Sequence, residues 1–416
     1  MRGLIGKKLS HSFSKEIHET LDQQEYNLIE LAELDSFFCE KAFSAINVTI
    51  PYKSDVIPFL DTVSESAKEI NAVNTIVNEN GKLRGYNTDV DGLLYAFDYY
   101  KVSIKNRVIG IIGNGATSRT VKYGSTLKKA KIIKVFARNP KENEYPLSDI
   151  SLHKDINIII NATPNGMYPN NNQKTLINVE DFPTLEFVLD LVYNPLKTKL
   201  ILEAREHNVR AENGLIMLIH QAVKANELFN KITYKKRTTN TIFKDIYLRQ
   251  LNIVLIGMPM SGKSYYSRQI AKAYNKGLVD IDKEIEYTQK KSIQELFNEY
   301  GESGFRNIET RIIELKSKEL NKAISTGGGV VLNTNNIQLL KQNGVVVFLD
   351  VSLEELMNMP TKGRPLLKDP NNLIDLFSER YDLYKNYCDV RIVKNGFNTK
   401  ETMIKIGVKI NEYINS

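Results

Sequence analysis

Two glycine-rich turns, far apart in the chain, each follow an apolar strand and precede a helical stretch. The strand RVIGIIG (107–113) leads into GNGATS (113–118), and NIVLIG (252–257) leads into GMPMSGKS (257–264). A strand, a glycine turn and a helix in this order direct backbone N–H groups and a helix N-terminus at an anion. Two such units predict two phosphate-binding domains of parallel α/β type, and 416 residues leave room for both.

Composition excludes several other classes of protein. With 42% hydrophobic and 25% charged residues and no low-complexity tract, the chain is predicted to be globular. Its apolar runs stop short of the ~20 residues that a membrane-spanning helix needs, and the first residues lack the apolar stretch of a secretory signal. The two cysteines, Cys39 and Cys388, are too far apart in sequence to indicate a disulfide framework. We therefore expect a cytoplasmic protein with no membrane partner.

The formal charge of +7 is compatible with nucleic acid or with small anionic substrates. Lysine and arginine occur in short clusters such as 235–237, interleaved with acidic residues, and they form no long basic stripe. This distribution favours small anionic substrates and predicts no nucleic-acid partner. The sequence leaves the oligomeric state open.

The alternation of strands and helical stretches predicts how the chain is divided. We expect a first half over residues 1–248, in which a lobe of about 1–95 and 214–248 flanks a dinucleotide-binding domain of about 96–213. The second half, 249–416, is predicted to be a P-loop domain with a parallel sheet.

Two local features refine this division. The segment IVNENGKLRGYN (76–87) predicts a hairpin, because Asn80-Gly81 suits a tight turn between extended arms. The segment 233–250 is polar, then partly apolar at helical spacing, and is predicted to be a closing helix plus a linker.

The turn GNGATS has glycines at the first two positions of the dinucleotide fingerprint and a serine in place of the third. The next strand, KIIKVFAR, ends in an arginine where NAD-binding folds commonly carry an acid. An arginine there accommodates the 2′-phosphate of NADP, so NADP is favoured over NAD. The residues expected to contact this cofactor are Gly113, Gly115, Ala116, Arg138 and Asn139.

Several short polar motifs accompany this fingerprint. They are HSFS (11–14), NVTIPYK (47–53), INAVNT (70–75), GYNTD (85–89), NATPNGM (161–167) and NGLIMLIHQA (213–222). In this order they resemble the signature motifs of shikimate dehydrogenases over residues 1 to about 248. The resemblance implies a substrate lobe joined to a Rossmann NADP domain.

The resemblance also implies roles for single residues. Lys53 is the catalytic acid and base, and Asp89 pairs with it and binds substrate. A polyhydroxylated ring acid is discriminated by many neutral donors and acceptors. The residues implied to supply them are Ser12, Ser14, Thr49, Asn74 and Gln221. Those implied to border substrate and nicotinamide are Tyr193, Gly214 and Met217.

The second turn, GMPMSGKS, satisfies the P-loop pattern G-x-x-x-x-G-K-S. Its backbone N–H groups are expected to hold the phosphates of ATP, Lys263 to reach the β- and γ-phosphates, and the Ser264 hydroxyl to bind Mg²⁺. The backbone donors are those of Met260, Ser261, Gly262, Lys263 and Ser264.

The segment GLVDID (277–282) is read as a strand that places Asp280 and Asp282 on one face, because strand residues two apart share a face. One carboxylate then supports Mg²⁺, and the other accepts the proton of a hydroxyl group. We assign the metal to Asp280.

Further motifs in the second half are SIQELFNEYGESGFRNIE (292–309), STGGG (325–329), GRPLL (363–367) and RYDLY (380–384). With the P-loop they resemble shikimate kinase over residues 251 to about 416. The resemblance implies that Asp282 binds shikimate and acts as base, and that Arg306 and Arg380 bind its carboxylate. It further implies that Gly328 lets substrate approach the backbone and that Arg364 contacts the transferring phosphate from a lid.

Together the resemblances imply two consecutive reactions on small molecules. NADPH would reduce 3-dehydroshikimate to shikimate, and ATP with Mg²⁺ would convert shikimate to shikimate 3-phosphate. Two alternatives stay open. The first half could be a quinate or shikimate dehydrogenase that uses NAD, and the kinase half could be a degenerate domain that serves as a binding module.

Overall fold

The computed structural model describes most of the chain. The described residues are 1–9, 13–359, 370–394, 396 and 398–415. Two residues singled out from the sequence, Ser12 and Arg364, lie outside them. The chain forms two compact units, Met1–Phe243 and Lys244–Ser416.

The first unit begins with a mixed sheet. Its strands are β1 (Arg2–Gly6), β2 (Asn27–Glu30), β3 (Ala45–Val48), β4 (Thr62–Val63), β5 (Thr75–Glu79) and β6 (Lys82–Tyr86), in the order β2-β1-β3-β5-β6-β4. β5 pairs antiparallel with both β3 and β6, and the other pairs are parallel. Asn80 and Gly81 turn between β5 and β6 with φ of 53° and 87°. The predicted hairpin is therefore confirmed.

A second sheet in this unit is entirely parallel. Its strands are β7 (Val108–Ile112), β8 (Ile132–Ala137), β9 (Tyr145–Pro146), β10 (Ile158–Asn161), β11 (Phe187–Asp190) and β12 (Arg210–Asn213). They lie in the order β12-β11-β10-β7-β8-β9, which is the strand order of doubly wound dinucleotide folds. β7 is buried along its whole length, and its sequence VIGII is a continuous apolar run because parallel sheets are covered on both faces.

The helices that accompany these sheets are α1 (Ser14–Asp22), α2 (Asp35–Glu40), α3 (Glu65–Ile70), α4 (Asp89–Tyr99), α5 (Ala116–Leu127), α6 (Lys199–Glu206) and α7 (Leu215–Asn230). Short 3₁₀ helices cover Ile57–Phe59, Leu147–Leu152 and Val179–Asp181. α7 returns from the second sheet to pack against α4 and α1. α4 and α7 approach closely at Gly92, where a Cβ atom would collide with the carbonyl oxygen of Met217 and lie 3.1 Å from the Cβ of Gln221. This contact brings Gln221 of α7 next to the start of α4.

The second unit contains one parallel sheet. Its strands are β13 (Asn252–Ile256), β14 (Gly277–Asp280), β15 (Lys322–Ser325), β16 (Gly344–Asp350) and β17 (Val390–Val393), in the order β14-β15-β13-β16-β17. Its helices are α9 (Lys263–Ala273), α10 (Ile281–Gln289), α11 (Ile293–Lys316), α12 (Thr334–Asn343), α13 (Leu353–Met357), α14 (Pro370–Tyr387) and α15 (Thr399–Asn415), with a 3₁₀ helix at Val330–Leu332. The predicted α/β class is confirmed in both units.

The prediction that 277–282 is one strand was wrong. β14 ends at Asp280, and Asp282 lies in the first turn of α10. Asp280 is the extended residue before that helix, with φ −116° and ψ 109°. Carboxylates are favoured at helix N-termini by the helix dipole, so the alternating pattern D-I-D marked a helix start.

The predicted linker before β13 is also absent from the described chain. Helix α8 (Lys236–Gln250) contains the division between the units, and Leu251 alone separates it from β13. The ammonium group of Lys276 donates to the carbonyl oxygens of Leu248 and Leu251, both at 2.7 Å, and to Oδ1 of Asn321 at 3.0 Å. Lys276 thus satisfies carbonyls at the end of α8 that have no intrahelical donor.

Within the described ranges, every helix falls short of the length and apolarity that crossing a membrane requires.

Candidate active sites

A lysine and a carboxylate meet in the first unit. Lys53 lies in the loop after β3, and Asp89 is the first residue of α4. The lysine Nζ and the carboxylate Oδ2 are 2.6 Å apart, and the side chains are 15% and 13% exposed. The pair holds an ammonium group at a fixed position that solvent still reaches.

Asn74 fixes the other oxygen of this carboxylate. Its Nδ2 donates to Oδ1 of Asp89 at 2.9 Å and to Oε1 of Gln221 on α7 at 3.2 Å. Its Oδ1 accepts the backbone N–H of Thr88 at 2.7 Å. Three sequence-predicted residues, Asp89, Asn74 and Gln221, are therefore joined directly. Thr88 was not singled out, although it stands in the GYNTD motif.

A second layer of buried side chains supports Asn74. Asn47, 5% exposed, accepts a hydrogen bond from the Tyr26 hydroxyl at 2.7 Å. Its own Nδ2 donates to the carbonyl of Asn74 and to Oγ1 of Thr75, both at 3.1 Å. Buried polar groups that are bonded in this way have one arrangement, so the layer restricts how Asn74 can move.

The other predicted substrate residues lie on neighbouring elements. Ser14 begins α1 and is buried, and Thr49 is half-buried in the loop that carries Lys53. Tyr193 packs edge-on against Phe13 with ring centroids 6.0 Å apart, and burial raises the pKa of Tyr193. Gly214 precedes α7 and Met217 lies in its first turn.

The glycine turn after β7 has the geometry of an anion site. Gly113 has φ +105°, and a Cβ there would lie 2.9 Å from Cγ2 of Thr163. A Cβ on Gly115 would meet nothing within 4 Å, and α5 begins at Ala116 without a side-chain cap. The first N–H groups of α5 are thus open to a phosphate, which fits a dinucleotide.

The predicted 2′-phosphate residues lie beside this turn. Arg138 and Asn139 directly follow β8 and are exposed. The Asn114 side chain donates to the carbonyl of Asn139 at 3.0 Å and to Oε2 of Glu144 at 2.9 Å. All five predicted cofactor residues thus follow the carboxyl ends of two neighbouring strands, β7 and β8.

Asp190 is a buried carboxyl that the sequence analysis missed. It ends β11 and accepts hydrogen bonds from Oγ1 of Thr198 at 2.5 Å, Nδ2 of Asn161 at 2.9 Å and the N–H of Val192 at 3.1 Å. Burial raises its pKa to about 7. Asp190 joins the ends of β10 and β11, from which the loops with NATPNGM and Tyr193 leave.

The P-loop of the second unit has three residues with positive φ: Gly257 at 146°, Met260 at 72° and Gly262 at 94°. Lys263 is 7% exposed and donates to the carbonyls of Gly257 at 2.8 Å and Met258 at 2.9 Å. The lysine therefore lies across its own loop. This lysine conformation is compatible with a P-loop whose backbone encloses the phosphates of a nucleotide.

The predicted metal and base residues converge on the P-loop. The Ser264 hydroxyl lies 3.2 Å from that of Ser325. Burial raises the pKa of Asp282 to about 6, while the nearby ammonium of Lys263 lowers it and the Asp280 carboxylate raises it. A Cβ on Gly327 would lie only 2.8 Å from Oδ1 of Asp282. The glycine therefore leaves room for this carboxylate.

The predicted arginines surround a carboxylate that sequence reasoning missed. Arg306 donates from Nη1 to Oε2 of Glu309 at 2.9 Å, and Arg380 on α14 is 9% exposed. Burial raises the pKa of Glu309, and the charges of both arginines oppose that shift. Nε of Arg306 and Oε1 of Glu309 are buried with no hydrogen-bond partner among the described residues. Glu309 ends a quoted motif, three residues after Arg306 on one helix, which was an available signal.

Gly328 is held by two contacts. A Cβ there would lie 3.0 Å from Cδ of Pro259, and its carbonyl accepts a hydrogen bond from the Tyr384 hydroxyl. Tyr384 is fully buried and stacks on Phe348 at 5.2 Å. The glycine segment is thus fixed between the P-loop and α14.

These folds and sites define two classes: a doubly wound dinucleotide-binding oxidoreductase with a lysine–carboxylate pair, and a P-loop phosphotransferase. Family models agree with that division. The model for the shikimate dehydrogenase substrate binding domain matches residues 4–76, and that for shikimate kinase matches residues 259–411. The chain belongs to the shikimate dehydrogenase family and carries a shikimate kinase domain after it.

Individual relatives cover the first part of the chain. The shikimate dehydrogenase (NADP(+)) of Clostridium perfringens is 35% identical over 268 residues, which are 59% of this chain and 98% of that protein. A chorismate mutase/shikimate 5-dehydrogenase fusion protein from Clostridium acetobutylicum is 34% identical, with a TM-score of 0.55 over 59% of this chain and 96% of that one. A quinate dehydrogenase from Corynebacterium glutamicum in complex with NAD is 28% identical, with a TM-score of 0.53 over 58% of this chain and 97% of that one.

Proposed function

We propose that the first unit reduces 3-dehydroshikimate to shikimate with NADPH, and that the second phosphorylates shikimate at its 3-hydroxyl with ATP and Mg²⁺. The observation that carries the proposal is the Lys53–Asp89 pair, held at 2.6 Å in a chain that also contains a complete P-loop. The two reactions are consecutive because the product of the first is the substrate of the second.

Lys53 is the proposed proton donor in the reduction. NADPH, when bound, supplies the hydride that adds to the carbonyl carbon. The carbonyl oxygen then gains negative charge and takes a proton from the Lys53 ammonium group. Asp89 keeps the ammonium in place, and Asn74 keeps Asp89 in place. In the reverse direction the neutral amine accepts the proton of the hydroxyl group.

The remaining polar residues are proposed to hold the substrate ring. Ser12, Ser14 and Thr49 bind its carboxylate and hydroxyls, and Asn74 and Gln221 bind further hydroxyls. Neutral donors and acceptors reject analogues without the matching hydroxyl because they would then be left unpaired. Tyr193, Gly214 and Met217 border the ring and the nicotinamide.

Backbone N–H groups of Gly113, Gly115 and Ala116 are proposed to hold the pyrophosphate of the cofactor. Arg138 and Asn139 bind the 2′-phosphate, which favours NADP over NAD. The similarity to a quinate dehydrogenase in complex with NAD makes quinate and NAD the alternative substrate and cofactor to test. The ratio of kcat/KM with NADPH to that with NADH, measured on shikimate and quinate, decides between them, and a preference for NAD would overturn the role of Arg138.

In the second unit, the backbone of Met260 to Ser264 and the Lys263 ammonium are proposed to hold the phosphates of ATP. Ser264 and Asp280 hold Mg²⁺. Asp282 accepts the proton of the attacking hydroxyl, and a pKa of about 6 keeps it ionised at neutral pH yet basic enough to react.

The shikimate carboxylate is proposed to bind Arg306 and Arg380. Nε of Arg306 and Oε1 of Glu309 are buried and have no hydrogen-bond partner among the described residues, so the protein groups around them leave this cluster incompletely paired. A substrate carboxylate would pair with the charges of the two guanidinium groups, whose planar N–H donors suit bidentate hydrogen bonds. Arg364, outside the described residues, is proposed to contact the transferring phosphate.

Two coarser proposals complete the assignment. We place the end of the dehydrogenase portion within α8, near residue 248, and the kinase portion over 249–416. We also propose a cytoplasmic location, where NADPH and ATP are both available.

A coupled assay tests the proposal. The full chain is supplied with 3-dehydroshikimate, NADPH, ATP and Mg²⁺, and NADPH absorbance and shikimate 3-phosphate are followed separately. Both signals support the proposed function. NADPH oxidation without shikimate 3-phosphate supports the binding-module alternative for the second unit. Absence of both contradicts the proposal.

A further inference from the structure

Arg119 connects the cofactor-binding helix to the loop that carries Lys53. It is the fourth residue of α5, which starts at the glycine turn. Its Nε donates to the carbonyl of Ile70 at 2.7 Å, and its Nη2 donates to the carbonyl of Asn71 at 3.1 Å and to Oγ of Ser54 at 3.2 Å. One guanidinium group thus bonds to two segments of the substrate lobe.

The acceptors of Arg119 explain why a cation is stable there. Ile70 is the last residue of α3, and Asn71 is the left-handed residue that ends it, with φ 53°. Carbonyls at a helix C-terminus lack intrahelical donors and carry partial negative charge, so a guanidinium group both bonds to them and is attracted by the helix dipole.

The same two segments hold the lysine–carboxylate pair. The Ser54 hydroxyl donates to the carbonyl of Asn71 at 2.8 Å, and the carbonyl of Lys53 accepts the N–H of Val73 at 2.7 Å. Asn74 follows directly and bonds to Asp89. A shift of Arg119 therefore moves the backbone on both sides of the catalytic pair.

We propose that Arg119 is a positioning residue for the reduction: it sets the distance between α5, which holds the cofactor, and the Lys53 loop, which protonates the substrate. This inference rests on the proposed dehydrogenase function. Hydride and proton must reach the two atoms of one carbonyl, and a misplacement of about 1 Å can cost on the order of 100-fold in rate.

Packing alone holds the two elements together but leaves their alignment less defined. Ile70, Ala72 and Val90 form a small buried cluster with Ala116 and Tyr123 of α5. Apolar contacts of this kind are non-directional, whereas three hydrogen bonds from one planar group fix direction and distance. Loss of Arg119 is thus expected to leave the chain folded and the alignment relaxed.

The experiment compares Arg119→Met and Arg119→Lys with the wild-type full chain. Arg107→Met is the matched control, because Arg107 lies in the same domain and pairs at the surface with Glu186 at 2.9 Å. Five quantities are measured: kcat and KM for 3-dehydroshikimate, the Kd of NADPH, the fraction of chains that bind NADPH, and the isotope effect on kcat with NADPH deuterated at the transferred position.

For R119M we expect kcat to fall about 10- to 100-fold, with the Kd of NADPH within about twofold of wild type. The isotope effect should rise, because misaligned hydride transfer becomes the slow step. R119K should recover part of the rate, as should millimolar guanidinium added to R119M. R107M should behave as wild type.

Three results would overturn the inference. The first is wild-type kcat and isotope effect in R119M. The second is a fall in kcat that matches the fall in NADPH-binding chains at an unchanged isotope effect, which would show a structural role only. The third is a wild-type chain that binds NADPH but reduces no 3-dehydroshikimate, which would remove the proposed function and this inference together.

Discussion

The two candidate sites differ in how their charged groups are paired. In the first unit the Lys53 ammonium is already paired with Asp89, and Asn74 bonds to the same carboxylate. In the second unit Lys263 lies on backbone carbonyls, and buried atoms of Arg306 and Glu309 have no partner within the described chain. The first site is organised by hydrogen bonds between protein groups, whereas the second retains buried polar atoms that the described protein groups leave unpaired.

The incompletely paired charged groups are expected to lower the stability of the second unit. Asp282 and Glu309 are carboxyl groups whose pKa values are raised by burial. A buried carboxylate without full hydrogen bonding destabilises the folded state, and such groups are retained where function needs them. The following changes test the contrast, from the largest expected effect to the smallest.

Lys53→Met should lower kcat for reduction of 3-dehydroshikimate by about 10²- to 10⁴-fold, because the proton donor is lost. Phosphorylation of added shikimate by the same protein should be unchanged. Lys68→Met, at an exposed position of α3, is the control. Steady-state kinetics of both reactions measure this, and a variant that keeps more than about a tenth of the wild-type rate would exclude Lys53 as the donor.

Arg306→Met should raise the KM for shikimate in the kinase reaction about 10- to 100-fold, since a charge-assisted hydrogen bond contributes about 1.5–3 kcal/mol. Arg311→Met, exposed on the same helix, is the control. Because R306M leaves Glu309 unpaired, the double variant with Glu309→Gln is measured in parallel. An unchanged KM in both variants would contradict the assigned carboxylate site.

The kinase reaction should lose activity as pH falls through about 6, where Asp282 becomes protonated. The protonated group cannot accept the hydroxyl proton, so kcat/KM should be about 10-fold lower at one pH unit below that pKa. Rates at saturating MgATP between pH 5 and 8 check the expectation. A profile that stays flat to about pH 5 would remove Asp282 as the base.

Asp282→Asn should stabilise the second unit by about 1 kcal/mol near neutral pH, after allowance for the solvent that still reaches the side chain. Burial raises the pKa of this carboxyl from 3.8 to about 6 in the folded state. Its cost is therefore full above about pH 6 and absent below about pH 4, and the gain should vanish in the same range. The free energy of unfolding in urea, measured above about pH 6 and below about pH 4, tests this expectation. Asp375→Asn, at an exposed position of α14, is the control. Stabilisation by Asp282→Asn at low pH alone would contradict the expectation that the charged carboxylate destabilises the fold.

Local patterns predicted the strands and glycine turns well, because apolar runs before glycine turns have few other structures open to them. The strand orders could not be predicted, since nothing in a single strand specifies its neighbours. Asp282 was misplaced because D-I-D alternates as a strand does, although acidic residues are also favoured in the first turn of a helix.

The site residues divide in the same way. Glu309 could have been found, because it stands three residues from Arg306 in a helical segment. Arg119 could not, since two of its three partners are backbone carbonyls, which carry no side-chain signature, and the third, Ser54, is far away in sequence. Tyr26 and Asn47 also escaped, because their bond joins segments that only the folded sheet brings together.

The contacts of Lys276 bear on where a separate kinase fragment of the chain can begin. A kinase fragment that starts at Asn252, the first residue of the P-loop strand, would lack the Leu248 and Leu251 carbonyls to which this lysine donates. Burial already lowers the pKa of Lys276 to about 8, so a truncated fragment would contain a buried ammonium with one of its three acceptors left. We therefore expect that a kinase fragment must begin upstream of its own nucleotide motif, inside α8, to keep these contacts.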